Sequence, residues 1–113
     1  MKKIEAIIKP SKLSNVKDAL HEIGLSGMTV SDVKGFGRQR GQDAGLNSSH
    51  DYDDEFRVKI KIELIIEDKI VEKALETIKK GAYSGKIGDG KIFISNIEQV
   101  MRIRTGEKGS EAV

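Results

Sequence analysis

Gly85-Lys-Ile-Gly-Asp-Gly-Lys-Ile92 places three glycines, one aspartate and two lysines within eight residues, which reads as a loop and not as a packed element. Glycine lacks a Cβ and tolerates positive φ, so the backbone of such a loop can approach another group closely. N–H groups turned towards a concavity, with ammonium groups at its rim, suit a polyphosphate. Further on, Arg102 and Arg104 stand at i and i+2 in the alternation Val100-Met-Arg-Ile-Arg. If that segment is extended, both guanidiniums leave the same side of a strand. Two planar forks side by side match an anion that carries several oxygens. The same residues also fit a surface hairpin with solvated charges, because a lone Gly-rich loop is a weak signal.

Length and composition bound what else the chain can be. At 113 residues it is long enough for one domain with a modest core. A net charge of +2 is too balanced to argue for nucleic acid or an anionic membrane. The absence of cysteine excludes disulfides, thiolate catalysis and cysteine-ligated metal. Glu5 and Lys9 interrupt any apolar run after Met1-Lys-Lys, and no stretch approaches the ~20 apolar residues of a membrane span. A cytoplasmic protein without membrane insertion is expected.

The elements that must position these residues emerge from periodicity. Lys3 to Lys9 alternates as a strand, with Ile4, Ala6 and Ile8 on one face. Ser11 offers an N-cap for a helix carrying Leu13, Val16, Ala19, Leu20 and Ile23, and Gly24 sits where a helix ends. Residues 27–34 read as a second strand. Polar chain then runs to Phe56, a length that points to a functional loop. Val58, Ile60, Ile62, Leu64 and Ile66 form one face of a third strand, and Asp68 can cap a second helix built on Ile70, Val71, Ala74, Leu75 and Ile78. Lys91 to Ser95 gives a fourth strand and Val100 to Arg104 a short fifth.

The order β-α-β-β-α-β predicts an α+β, ferredoxin-like split βαβ fold with a long loop between strands 2 and 3. Both helices would cover one face of the sheet. The other face mixes Ile7, Ile65 and Phe93 with Lys59, Lys61 and Glu63, and a half-apolar face of this kind usually meets another chain. A homo-oligomer is therefore expected. The chain reads as one domain over 1–113, with a long exposed partner loop over 36–56 and a mobile tail over 106–113.

Four stretches together resemble the PII nitrogen-regulatory signal transduction proteins. They are Lys2-Lys-Ile-Glu-Ala-Ile-Ile-Lys-Pro10, Gly27-Met-Thr-Val with Val33-Lys-Gly-Phe-Gly-Arg-Gln-Arg-Gly41, the Gly-rich loop through Phe93, and Arg102-Ile-Arg-Thr-Gly106. The resemblance implies a homotrimer that binds ATP or ADP between subunits, senses 2-oxoglutarate with Mg-ATP, and regulates partner proteins through the long loop. By the same likeness Gly88, Asp89, Gly90 and Lys91 would hold the phosphates, and Arg102 and Arg104 would reach them from the neighbouring chain. Thr29, Gly37, Arg38 and Ile65 match further nucleotide-contact positions. Gln39 would ligate Mg²⁺, and Lys59 would pair with a 2-oxoglutarate carboxylate.

The long loop departs from the family pattern. Tyr52 stands where some members carry a modified tyrosine, but the Arg-Gly-Ala-Glu that precedes it there is absent. Asp51, Asp53, Asp54 and Glu55 make this stretch acidic, which suits either solvation or a basic partner surface. An ammonium transporter, a nitrogen-assimilation enzyme or a nitrogenase system are the partners the likeness offers. A nitrogenase-associated regulator, or a relative sensing adenine nucleotides alone, is the alternative reading.

Rival classes fare worse. His21 reads as a residue at the solvent edge of the first helix. His50 near Ser48 and Ser49 is too common a pairing to claim a nucleophile, which needs an oriented base and an oxyanion site, so no enzyme is expected. RNA-recognition modules of this topology stack bases on central-strand aromatics, and the strands around Ile4 to Ile8 and Val58 to Ile66 have none. A metal-binding trimer has little to work with in two histidines and no cysteine.

Overall fold

The computed structural model describes residues 1–36 and 56–113. Gly37, Arg38, Gln39 and Tyr52 lie outside the described residues, as does nearly all of the long loop. Four strands, β1 (Lys2–Ile8), β2 (Thr29–Gly35), β3 (Arg57–Ile66) and β4 (Lys91–Asn96), form one antiparallel sheet in the order β2-β3-β1-β4. Two helices, α1 (Leu13–Glu22) and α2 (Val71–Ala82), supply the crossovers. This is the α+β, βαββαβ arrangement expected from the pattern.

Alternation builds the core. Ile4, Ala6 and Ile8 of β1 and Ile60, Ile62, Leu64 and Ile66 of β3 are buried with Val16, Leu20, Ala74, Ile78 and Ala82 of the helices. Central strands carry most of it because they have neighbours on both edges. Val58 shares the parity of the β3 core residues but is 59% exposed, so the apolar face of β3 starts at Ile60. Residues of the opposite parity form a helix-free face, where Lys3 bridges Glu5 and Glu63 at 3.3 and 2.9 Å. Hydrogen bonding to Glu63 raises the Lys3 pKa and lowers that of Glu63. Cross-strand charge thus replaces apolar packing on part of this face.

Both helix starts differ from expectation. Each is preceded by a 3-10 turn, Pro10–Lys12 and Asp68–Ile70, and no side-chain cap forms at either. Pro10 fixes its own φ and opens the first turn directly, leaving Ser11 nothing to cap. Asp68 turns instead to the chain start, where its carboxylate accepts from the Met1 ammonium at 2.9 Å. That bond lowers the Asp68 pKa. Gly24, with φ +90°, ends α1 as expected.

The fifth strand is not formed. Met101 and Lys108 make a single bridge, and the chain reverses between them. The Gly106 N–H donates to the Arg102 carbonyl and the Arg102 N–H to the Glu107 carbonyl, both at 2.8 Å. Glu107 also draws in the Arg102 guanidinium and the Thr105 hydroxyl, at 3.3 and 2.9 Å. The alternation of Val100 to Arg104 therefore runs from one arm of a tight hairpin into its turn, and Arg102 and Arg104 do not project from a common strand face. Beyond it the tail contains a 3-10 turn, Gly109–Ala112.

One backbone contact sets how the Gly-rich loop enters β4. Gly90 has φ +100°, and a Cβ there would lie 1.7 Å from the Ile7 carbonyl oxygen. Lys91, next in the chain, pairs with Ile7 in the β1–β4 ladder. Only glycine allows the loop to pass over the end of β1 and join the sheet at once. At the open end of α1, Gly24 has nothing within 4 Å of such a Cβ.

Gly24→Ala should therefore lower unfolding free energy by only the left-handed backbone cost, about 1–2 kcal/mol. Gly90→Ala should cost clearly more, since Ile7 must also move. Denaturant melts of the two variants check this, and equal losses contradict it. In the core, Ile62→Ala should cost about 2–5 kcal/mol, read from the same melts.

Candidate functional site

Two lysines converge on the Gly-rich loop from the ends of the central strands. Ile8 pairs with Ile60 across β1 and β3, so Lys9 and Lys59 stand side by side at the same edge of the sheet. Each takes a different oxygen from adjacent loop residues. The Lys59 ammonium donates to the Gly88 carbonyl at 2.6 Å. The Lys9 ammonium lies 3.2 Å from the Asp89 carboxylate and donates to the Ser84 hydroxyl at 3.0 Å.

Lys59 is the one buried charged residue among those described, 9% exposed. Burial lowers its pKa, the nearby Lys9 and Arg57 charges add to the effect, and Asp89 opposes it. Its aliphatic stem passes beside Gly35 on β2, where an added Cβ would make ordinary contact at 3.7 Å. A partly desolvated ammonium can pair with an anion brought to it.

Asp89 faces inward. Its carboxylate accepts from the Ser84 and Gly85 N–H groups at 2.8 and 2.9 Å and from the Ser84 hydroxyl. These bonds, led by the Ser84 hydroxyl and joined by Lys9, hold its carboxyl far below the ordinary carboxylate range. The Ser84 oxygen in turn accepts from the Lys86 N–H at 3.2 Å. Beside this loop is a cavity of about 440 Å³ lined by Ile8, Ile78, Tyr83, Gly90, Lys91 and Ile92, among others.

The residues named from sequence separate into groups. Gly88, Asp89, Gly90, Lys91 and Lys59 lie together. Thr29 and Ile65 do not join them: Thr29 pairs with Glu63, and Ile65 with Lys3, towards the far end of β3. Six residues of strand separate Lys59 from Ile65, about 20 Å at the usual rise. Arg102 and Arg104 make no hydrogen bond or ion pair with the loop among the described residues; Arg102 is engaged by Glu107. Lys9 and Ser84 escaped the sequence reading, because their contact spans 75 residues and neither sits in a recognisable spacing. Phe36 and Phe56 were likewise missed as a pair. Their ring centroids lie 5.7 Å apart and join the two ends of the 37–55 segment.

No group of three or more His, Asp or Glu able to hold a metal occurs among the described residues. No described helix is long and apolar enough to cross a membrane.

Comparison with known proteins accords with this geometry. The family model described as Nitrogen regulatory protein P-II matches residues 1–107. The chain is 56% identical to a Nitrogen regulatory protein P-II of Azospirillum brasilense and 58% identical to one of Rhodospirillum rubrum, each over 113 residues and the whole of both chains. Among solved structures it is similar to that of Arabidopsis thaliana PII bound to citrate, with a TM-score of 0.83 and 41% identity over 99% of this chain and 91% of the other. The chain belongs to the nitrogen regulatory P-II family.

Proposed function

We propose that this protein is a non-enzymatic sensor of nitrogen and energy status. As a homotrimer it binds ATP or ADP between subunits, takes 2-oxoglutarate together with Mg-ATP, and regulates a partner protein through the 36–56 loop. The observation that carries this reading is the bond from Lys59 to the Gly88 carbonyl, which joins the root of the long loop to the Gly-rich loop. A metabolite carboxylate that draws on the Lys59 ammonium changes what holds Gly88. Phosphates on the Gly-rich loop and a metabolite on Lys59 thereby act on one contact, and coupling between them is reciprocal.

Separation along the sheet supports a site shared between chains. Thr29 and Ile65 lie too far from Lys59 to serve the same end of a ligand in one copy, and among the described residues Arg102 and Arg104 make no polar contact with the Gly-rich loop of their own chain. A second copy brings such groups together. Exposed Phe93, Met101 and Ile103, the last 98% accessible, favour association by the same token. The plant relative's citrate is a polycarboxylate, as 2-oxoglutarate is a dicarboxylate, which favours a carboxylate site in this fold. Mg²⁺ would rest on Gln39, outside the described residues, and on phosphate oxygens, since the described carboxylates offer it no cluster. When bound, the ion would supply positive charge to offset the anionic oxygens gathered there. The carboxylates of Asp51, Asp53, Asp54 and Glu55 suit a basic surface on the partner.

Calorimetry tests the reading. ATP should tighten 2-oxoglutarate binding, and 2-oxoglutarate should tighten ATP by the same factor; independent binding overturns it. Lys59→Met should weaken 2-oxoglutarate by about 1.5–3 kcal/mol, the worth of a charge-assisted bond, and weaken ADP, which feels only the loosened Gly88, by much less. The variant should also fold well. A lysine whose pKa is lowered in the fold subtracts from stability while protonated, and that cost fades as pH rises through the lowered value. Any stability advantage of Lys59→Met at neutral pH should therefore shrink in alkali, and an advantage that grows there contradicts the assignment.

A further inference from the structure

Resting on the nucleotide reading above, we infer that Lys9, Ser84 and Asp89 are positioning residues: a polar clamp that shapes the Gly-rich loop before a nucleotide arrives. The carboxylate of Asp89 is turned inward and spent on its own loop. Its bonds close the segment between Ser84 and Asp89 into a ring, with two backbone N–H groups and one hydroxyl converging on two oxygens. Ser84 is the hinge of the cluster, giving its hydroxyl hydrogen to Asp89 and accepting from both Lys9 and the Lys86 N–H. Lys9, fixed at the end of β1 by Pro10, balances the carboxylate charge and ties the ring to the sheet.

The chemistry requires an anion at Asp89. An asparagine there keeps one acceptor oxygen for the Ser84 and Gly85 N–H groups, but its N–H₂ then replaces the oxygen that takes the Ser84 hydroxyl and faces the Lys9 ammonium, so that half of the ring is lost. The charge survives at low pH as well, because the same donors stabilise it. Binding without such a clamp would first have to order a loop containing three glycines, and that ordering weakens affinity. With the clamp, the amides beyond the ring are presented with their directions already set. Asp89 and Lys9 thus act through the loop and not by touching the ligand, and a bare carboxylate next to phosphates is avoided.

The test compares the full-length protein with Ser84→Ala, Ser84→Thr and Asp89→Asn by ATP calorimetry, with backbone amide exchange in the absence of nucleotide and light scattering for assembly. Ser84→Ala and Asp89→Asn should weaken ATP by about tenfold or more, since each removes at least one charge-assisted bond. Both should also speed exchange at Ser84, Gly85 and Lys86 while the β1 and β3 amides stay protected and the oligomer persists. Ser84→Thr retains the hydroxyl and should restore affinity and protection. Undiminished ATP affinity in Ser84→Ala, with wild-type protein binding normally, overturns the clamp and leaves the proposed function standing. Wild-type protein that ignores ATP overturns both. Should Asp89→Asn fail to fold, the Ser84 pair decides alone, and failure of Ser84→Thr to recover counts against the inference.

Discussion

The passage of Gly90 over the Ile7 carbonyl is the constraint from which the site takes its shape. A side chain at that position would collide with backbone, so the loop lies as close to the sheet as a chain can. That closeness brings Gly88 within reach of Lys59 and Asp89 within reach of Lys9. Raised by the width of one methyl group, the loop would stand farther from both lysines. The Gly-rich sequence therefore has two roles, one in the surface the loop presents outward and one in how tightly it seats.

Charge at this edge is arranged so that like groups do not compete. Lys9 and Lys59 are neighbours across the central strands, and two ammoniums there would repel unless each had its own acceptor. Asp89 supplies one and the Gly88 carbonyl the other. The carboxylate is a full counter-charge, whereas the carbonyl is only a dipole, so Lys59 is the less satisfied of the two. Burial, joined by the neighbouring Lys9 charge, lowers its pKa. A group left partly unsatisfied can respond to an incoming anion; a fully paired one would be inert.

Much of this was legible in the residues. Strict alternation in β1 and β3 marked the central strands, and Gly24 marked a helix end, because these features depend on neighbours in the chain. The Gly-rich loop was legible as a loop for the same reason. Features that stayed hidden depend on residues far apart. Nothing local tells that the Met1 ammonium takes Asp68 from its helix, or that Lys9 reaches Ser84. The segment Val100 to Arg104 misled because alternation carries no information about the residues beyond its end. There Gly106 and Glu107 turn the chain back and convert a strand pattern into one arm of a hairpin. Thr29 and Ile65 were named by family likeness alone, and no periodicity would have linked them to a loop at the other end of the sheet.

On the proposed reading, a nucleotide held by the Gly-rich loop of one chain and by the arginines of another would make binding a property of the assembled protein. Subunit mixing reads that out. One chain carries Arg102→Ala with Arg104→Ala, the other Lys91→Ala, and each alone should bind ATP poorly. Assembled together, they should regain ATP sites of wild-type affinity, because some interfaces then combine an intact loop with intact arginines. A mixture that binds ATP no better than its separate components, despite proven co-assembly, would contradict the shared site.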